Sequence, residues 1–196
     1  MFVVGVVVLT AIRPLLKREP PPPPVIGQVP AFSLVDQDGH ELGSEQLRGQ
    51  VYIAAFFFSR CPSICPTLMK SMRRIEDAYR DRGISGIRLV SITVDPEYDT
   101  PERLRAYAAE LGAEPARWTL LTGDIEAIRR LAVDGFHVPL GSEQVLPGGL
   151  IDIAHSGKLI LVDGQGGIRG YYDTDESGLD EVYNRAQHVL REAGRI

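Results

Sequence analysis

Cysteine is scarce in this chain: 196 residues contain only two. That excludes a disulfide framework of the kind that holds small secreted domains together. None is needed, because a body of this size buries roughly 70% of its unfolded surface. Positive charge is also short. Lys plus Arg number 21 against 26 Asp plus Glu, a net charge of −5. No long basic run offsets the balance, which argues against nucleic-acid binding, since phosphate recognition needs a positive footprint. No internal repeat is present, and no apolar run approaches the roughly 20 residues of a membrane span. What remains is ordinary globular composition, 44% apolar and 24% charged. This excludes disorder over the whole length and leaves room for one domain and a tail.

The tail comes first. Residues Met1–Ile12 carry no charge. As a helix they reach only about 18 Å at 1.5 Å per residue, too short to span a bilayer alone. They lack the basic leading segment of a secretory signal. Arg13, Lys17 and Arg18 follow on the C-terminal side, an order that by the positive-inside rule would hold the body in the cytoplasm. Three readings stay open: a membrane anchor whose true start lies upstream of Met1, a weak interfacial anchor, or an eroded signal. The abrupt apolar beginning favours the first. Five consecutive prolines, Pro20–Pro24, then form a stiff polyproline II spacer of some 15 Å at about 3.1 Å per residue. The expected division is therefore 1–24 as truncated anchor and linker, and 25–196 as the folded domain.

From residue 25 the pattern alternates. A short strand over 31–35 and the Asp38-Gly39 turn predict an N-terminal β-hairpin. The run Gln50–Phe58 is continuously apolar and of strand length, the mark of a central strand buried on both faces. Leu68, Met69, Met72, Ile75 and Tyr79 recur at helical spacing and predict a helix over 66–82. A second buried strand covers 87–94. Thr100 and Pro101 open the next helix as N-cap and first residue, which ends near Gly112. A strand at 118–121, a helix at 124–133 capped by Asp124, a hairpin of 158–162 with 168–172, and a last helix at 179–192 complete the order. Residues 134–151 read as a long irregular insertion, the kind that is often functional. Strands alternating with helices predict an α/β fold: a central mixed sheet flanked by helices. The closing β-hairpin and helix are typical of thioredoxin-like folds.

The two cysteines sit where chemistry gathers in such sheets. The segment Cys61-Pro62-Ser63-Ile64-Cys65-Pro66 follows the buried strand directly and opens the first helix. Spacing of four places both thiols on one side, able to close a disulfide or to hold one metal ion. The helix N-terminus stabilises a thiolate, and Arg60 adds a cation. Of the four histidines, His40 and His188 read as surface or half-buried, and His137 lies in the irregular insertion. His155 stands at the start of the terminal hairpin, the corner that faces the dithiol in a thioredoxin-like fold. Cys61, Cys65 and His155 would make a Cys₂His site suited to copper, with zinc left open by ligand type. Without metal, Cys61 and Cys65 would serve as the catalytic pair of a thiol–disulfide oxidoreductase. A thiol peroxidase fits less well, because that chemistry has no use for His155.

The segments FFFSRCPSICPTLMKSM, SITVDPEYDTPERLRAYAAELGA with RWTLLTGD, and HSGKLILVDGQGGIRGYYD resemble, in that order, the conserved blocks of the Sco/SenC family, copper-delivery proteins of cytochrome c oxidase assembly. The resemblance implies a thioredoxin-like fold, a membrane anchor and a domain outside the cytoplasm. It implies copper, Cu(I) or Cu(II), held at the positions of Cys61, Cys65 and His155. It also implies delivery to, or thiol reduction of, the binuclear copper site of oxidase subunit II. Because an oxidised cysteine pair binds no copper, a thioredoxin-type reductant is expected as second partner. No exposed apolar stripe is evident in the sequence, so a monomer is expected. Two departures stand out. Ala154 replaces the Asp that often precedes the histidine, with Asp152 two residues earlier, and Gly164 stands where the hairpin turn commonly has proline. Asp95 and Asp99 match the family's DPxxDT segment, as neighbours of the site or as turn and cap residues.

Overall fold

The computed structural model describes residues 21–145, 147 and 151–194. The proposed anchor at Met1–Ile12 lies outside the described residues. Among the described residues ten strands and four helices follow in order: β1 (Gly27–Gln28), β2 (Ser33–Asp36), β3 (Glu41–Gly43), β4 (Val51–Phe57), α1 (Cys65–Asp81), β5 (Ile87–Thr93), α2 (Pro101–Leu111), β6 (Trp118–Thr122), α3 (Ile125–Arg130), β7 (Glu143–Val145), β8 (Ile151–Ile153), β9 (Leu159–Val162), β10 (Gly167–Tyr172) and α4 (Glu176–Glu192). Eight strands form one sheet in the order β1-β10-β9-β4-β5-β6-β2-β3. β4, β5 and β6 run parallel, joined by crossovers through α1 and α2, and the flanking strands are antiparallel. This is the mixed, helix-flanked sheet of a thioredoxin-like fold.

The reasons for these elements are local. All seven residues of β4 are buried, as expected of a strand covered on both faces. Thr100 accepts a hydrogen bond from the Arg103 amide with Pro101 next in line, and Gly112 ends α2 in the left-handed region at φ 67°, which glycine adopts without a Cβ clash. Asp124 caps α3 through the Ala127 amide at 2.8 Å. The last turn of α3 widens into a π turn over Leu131–Gly135. Helices α1 and α4 pack side by side, with the Tyr79 and Tyr183 rings stacked 4.8 Å apart and Arg74 gripping both carboxylate oxygens of Glu176.

Three differences from the sequence reading have physical causes. α4 begins at Glu176 because Asp175 caps it, accepting from the Gly178 amide at 2.8 Å. The insertion at 134–151 is not irregular throughout: β7 and β8 pair antiparallel, Glu143 opposite Ile153. Their three-residue segments are too short for periodicity to reveal a strand. The body also takes up the end of the proline run. Pro23 is buried, its carbonyl accepts from Arg169 Nη1 at 2.8 Å, and the Ile26 amide donates to Ile168 O at 2.8 Å.

The register carries the consequence for function. β9 lies antiparallel against β4, with Ala54 opposite Ile160 and Tyr52 opposite Val162. The end of β4 therefore meets the start of β9. Cys61, four residues beyond Phe57, and His155, four residues before Leu159, are brought to the same edge. The opposite end of this pair explains Gly164. A Cβ there would stand 2.8 Å from the Gly49 carbonyl carbon, where Gly164 O accepts from the Gly49 amide at 2.7 Å. Gly164→Ala should destabilise the fold by about 1–3 kcal/mol through this overpacking, measured by chemical denaturation. An unchanged midpoint would show that the turn has room to spare.

Candidate metal centre

The turn between β4 and α1 supplies the two thiols differently. Cys65 is the first residue of α1, with Pro66 behind it, and Cys61 lies in the turn ahead of the helix. The pair is therefore not stacked on one helical face, as spacing alone suggests. The turn folds Cys61 back over the helix N-terminus, where the Cys65 amide donates to its sulfur. Both cysteines are free and buried, Cys61 at 8% exposure and Cys65 at 1%.

His155 arrives from the strip between β8 and β9. Its Nε2 lies 3.2 Å from Cys65 Sγ, and the ring stands edge-on to Phe58 with centroids 5.6 Å apart. Its Nδ1 faces Ser156 O at 3.2 Å. A carbonyl oxygen only accepts, so Nδ1 is the donor there and Nε2 is the nitrogen presented to the sulfurs. Orientation by a partner on the far nitrogen is the usual arrangement for a ligand histidine. Here a backbone carbonyl fills the role that a carboxylate at position 154 would otherwise take.

The ligand atoms of Cys61, Cys65 and His155 all lie within 4.8 Å of one another. Two thiolates on one ion at about 2.3 Å each are at most about 4.6 Å apart, so only a small contraction is needed to close the set around a cation. Two sulfurs and one imidazole suit a soft or borderline metal. Three protein ligands leave a position open for exchange. Among the described residues this is the one grouping of three or more His, Cys, Asp or Glu side chains able to hold a metal ion.

The thiols are electrostatically unlike. Hydrogen bonding from Cys65 holds the Cys61 thiol well below its ordinary value, and contacts to His155, Ser63 and the Cys65 amide act in the same direction. The same Cys61–Cys65 interaction, together with burial, pushes Cys65 up. One proton thus stays on Cys65 while Cys61 is the thiolate, and a metal binding to both must displace it.

The other residues singled out in the sequence fall elsewhere. Arg60 does not turn to the thiols. Its Nε donates to Asp95 Oδ2 at 2.6 Å, its Nη2 lies 4.0 Å from Glu143 Oε2, and its guanidinium covers the Tyr98 ring at 4.7 Å. His40 is exposed beside Asp36, and His137 is exposed with φ 52°. His188 is half-buried on α4. The sequence reading passed over Phe58, which backs the histidine ring, and Ser59, which touches Asp99. Their position between a buried strand and a cysteine was the available signal.

Iodoacetamide at pH 6 should label Cys61 at least roughly tenfold faster than Cys65. At that pH an ordinary thiol, with a pKa near 8.5, is almost wholly protonated, whereas a depressed thiol is already charged. The advantage should fall away only as acid reaches the lowered Cys61 value. Equal labelling of both cysteines, read by peptide mass spectrometry, would contradict the asymmetry.

The model of the SCO1/SenC family matches residues 24–191. A Stutzerimonas stutzeri protein named for copper binding is 36% identical over 145 residues, which cover 73% of this chain and 68% of the relative. The solved structure of BsSco, a member of the Sco family of cytochrome c oxidase assembly proteins with an identified disulfide switch, superimposes with a TM-score of 0.73. It is 26% identical, over 87% of this chain and 98% of that one. Yeast Sco1 with copper bound gives a TM-score of 0.69 at 25% identity, over 82% of this chain and 89% of that one. The chain belongs to the SCO1/SenC family.

Proposed function

We propose that this protein is a copper metallochaperone that holds one copper ion on Cys61, Cys65 and His155. It passes the ion to the binuclear copper site of cytochrome c oxidase subunit II. The observation that carries the reading is the convergence of two thiols and one imidazole within 4.8 Å at a strand end, in a family with a copper-bound relative. Delivery requires ligands that bind firmly yet release through intermediates shared with the acceptor. A buried but rim-placed dithiol with an open fourth position meets both demands.

The bound state has a redox condition. A Cys61–Cys65 disulfide has no thiolate to offer a metal. A dithiol reductant of the thioredoxin type would restore the site, its two thiols becoming a disulfide as the Cys61–Cys65 bond opens to two thiols. The unlike thiols also support a second reading, direct thiol–disulfide exchange with a partner through the Cys61 thiolate, with Cys65 resolving the mixed disulfide. Residues 1–24 would tether the domain to a membrane and 25–196 would work outside the cytoplasm as a monomer. The charge-free Met1–Ile12 segment and the proline spacer support the tether. Among the described residues no helix is long and apolar enough to cross a membrane.

The histidine separates the two readings, since dithiol exchange has no need of it. Anaerobic titration of the reduced protein should give one copper per chain. His155→Ala should weaken binding roughly ten- to a hundredfold or more, while Cys61 and Cys65 still oxidise to a disulfide. Equal affinity in the variant at matched pH would overturn the metal reading and leave the exchange reading standing.

A further inference from the structure

The turn that carries Cys61 has few hydrogen bonds of its own. The Cys61 amide donates to Phe58 O at 3.2 Å, and the Leu68 amide donates to Ile64 O at 3.0 Å, already at the helix start. Something else must fix Ser59 and Arg60, the two residues directly ahead of the first thiol. That something is the loop 94–100, which leaves β5 beside them.

Asp99 is fully buried in this loop. Its Oδ2 accepts from the Ser59 amide at 2.9 Å and from Thr93 Oγ1 at 2.5 Å, and its Oδ1 accepts from Ser59 Oγ. Two of the three donors come from Ser59, across the sheet edge. A carboxylate that merely closed its own loop would draw them from that loop. Gripping both the N–H and the O–H of one residue fixes its backbone and its side-chain rotamer together. Next in the chain, Arg60 is held by Asp95 from the same loop, and the Asp95 amide is tied to Thr93 Oγ1 at 3.0 Å. Loop 94–100 is itself secured to the sheet, where the Val94 amide donates to Phe57 O at 2.8 Å.

Ser59 stands between the two groups that set the sulfurs' positions. On one side the Phe58 amide donates to Cys65 Sγ. On the other, Cys61 follows after Arg60. We infer that Asp99 is a positioning residue for the metal centre, holding Ser59 so that Cys61 stays at chelating distance from Cys65 and His155. The inference rests on the copper reading for its purpose, but the geometry it asserts concerns the dithiol alone.

The physical effect is one of effective concentration. Two thiols held at one separation favour both the chelate and the disulfide over open forms, and a loosened turn disfavours both. In the full chain, Asp99→Asn keeps the shape but replaces one acceptor oxygen with a donor, so one of the three donors loses its partner. Two readouts should move together. The equilibrium between the Cys61–Cys65 disulfide and dithiothreitol, measured without metal, should shift roughly tenfold away from the disulfide. Copper retention against a Cu(I) chelator should fall roughly ten- to a hundredfold. Ser59→Ala, which removes one donor only, should shift both the same way by less.

Glu76→Gln is the control. Glu76 is a buried carboxylate in α1, accepting from the Glu114 amide at 2.8 Å and from Arg73 at 3.0 Å, and it lies outside the thiol turn. It should lower thermal stability yet leave both readouts near wild type. The inference is overturned if Asp99→Asn moves the readouts no further than Glu76→Gln does. Should Asp99→Asn fail to fold, Ser59→Ala decides, and wild-type values there would overturn it equally. Absence of copper binding by the wild type would sink the copper reading, while the metal-free equilibrium would still judge Asp99.

Discussion

The antiparallel pairing of β9 on β4 is the constraint on which the centre depends. It fixes which residue before β9 meets which residue after β4, across 94 positions of sequence between Cys61 and His155. Because side chains alternate along a strand, a one-residue slip would turn every side chain of β9 to the other face. All four residues of β9 are buried, so both of its faces are packed and that slip would exchange the packing partners of every one of them. The hydrophobic core therefore enforces the register, and the register aligns the site. The pairing β4–β5 does the same for loop 94–100, whose carboxylates reach the thiol turn from the other side.

Within that frame the chemistry follows from asymmetry. The helix start presents an amide to Cys61, burial and the shared hydrogen bond retain the proton on Cys65, and the Ser156 carbonyl turns Nε2 inward. Each of these is a backbone or near-neighbour effect, so the site needs no second carboxylate beside the histidine. This explains how Ala154 is accommodated. Arg60, which the sequence offered as a cation for the thiolate, instead joins the turn to Asp95 and Tyr98. A guanidinium has a close carboxylate to satisfy and is drawn there before a sulfur.

Much of this was legible in the sequence. The buried runs of β4 and β5, the amphipathic α1 and the caps Thr100 and Asp124 carry strong local signals, and they sufficed to place Cys61 and Cys65 at a strand end. His155 was found from its place ahead of the terminal hairpin, a matter of topology. What escaped has a common cause. β7 and β8 are three residues each, too short for periodicity. Asp175 was missed as a cap because the apolar pattern of α4 begins only at Leu179. The roles of Ser59 and Asp99 depend on a contact across 40 residues, which no local pattern encodes. Asp99 fitted equally well as a turn residue until the loop and the turn were seen side by side.

The central claim is that three side chains from distant parts of the chain converge on one soft cation. X-ray absorption spectroscopy of the reduced protein loaded with one equivalent of copper tests it most directly. Two sulfurs and one imidazole nitrogen in the coordination shell, with the nitrogen lost in His155→Ala, is the expected result. A shell of sulfur alone, unchanged by that substitution, would contradict it.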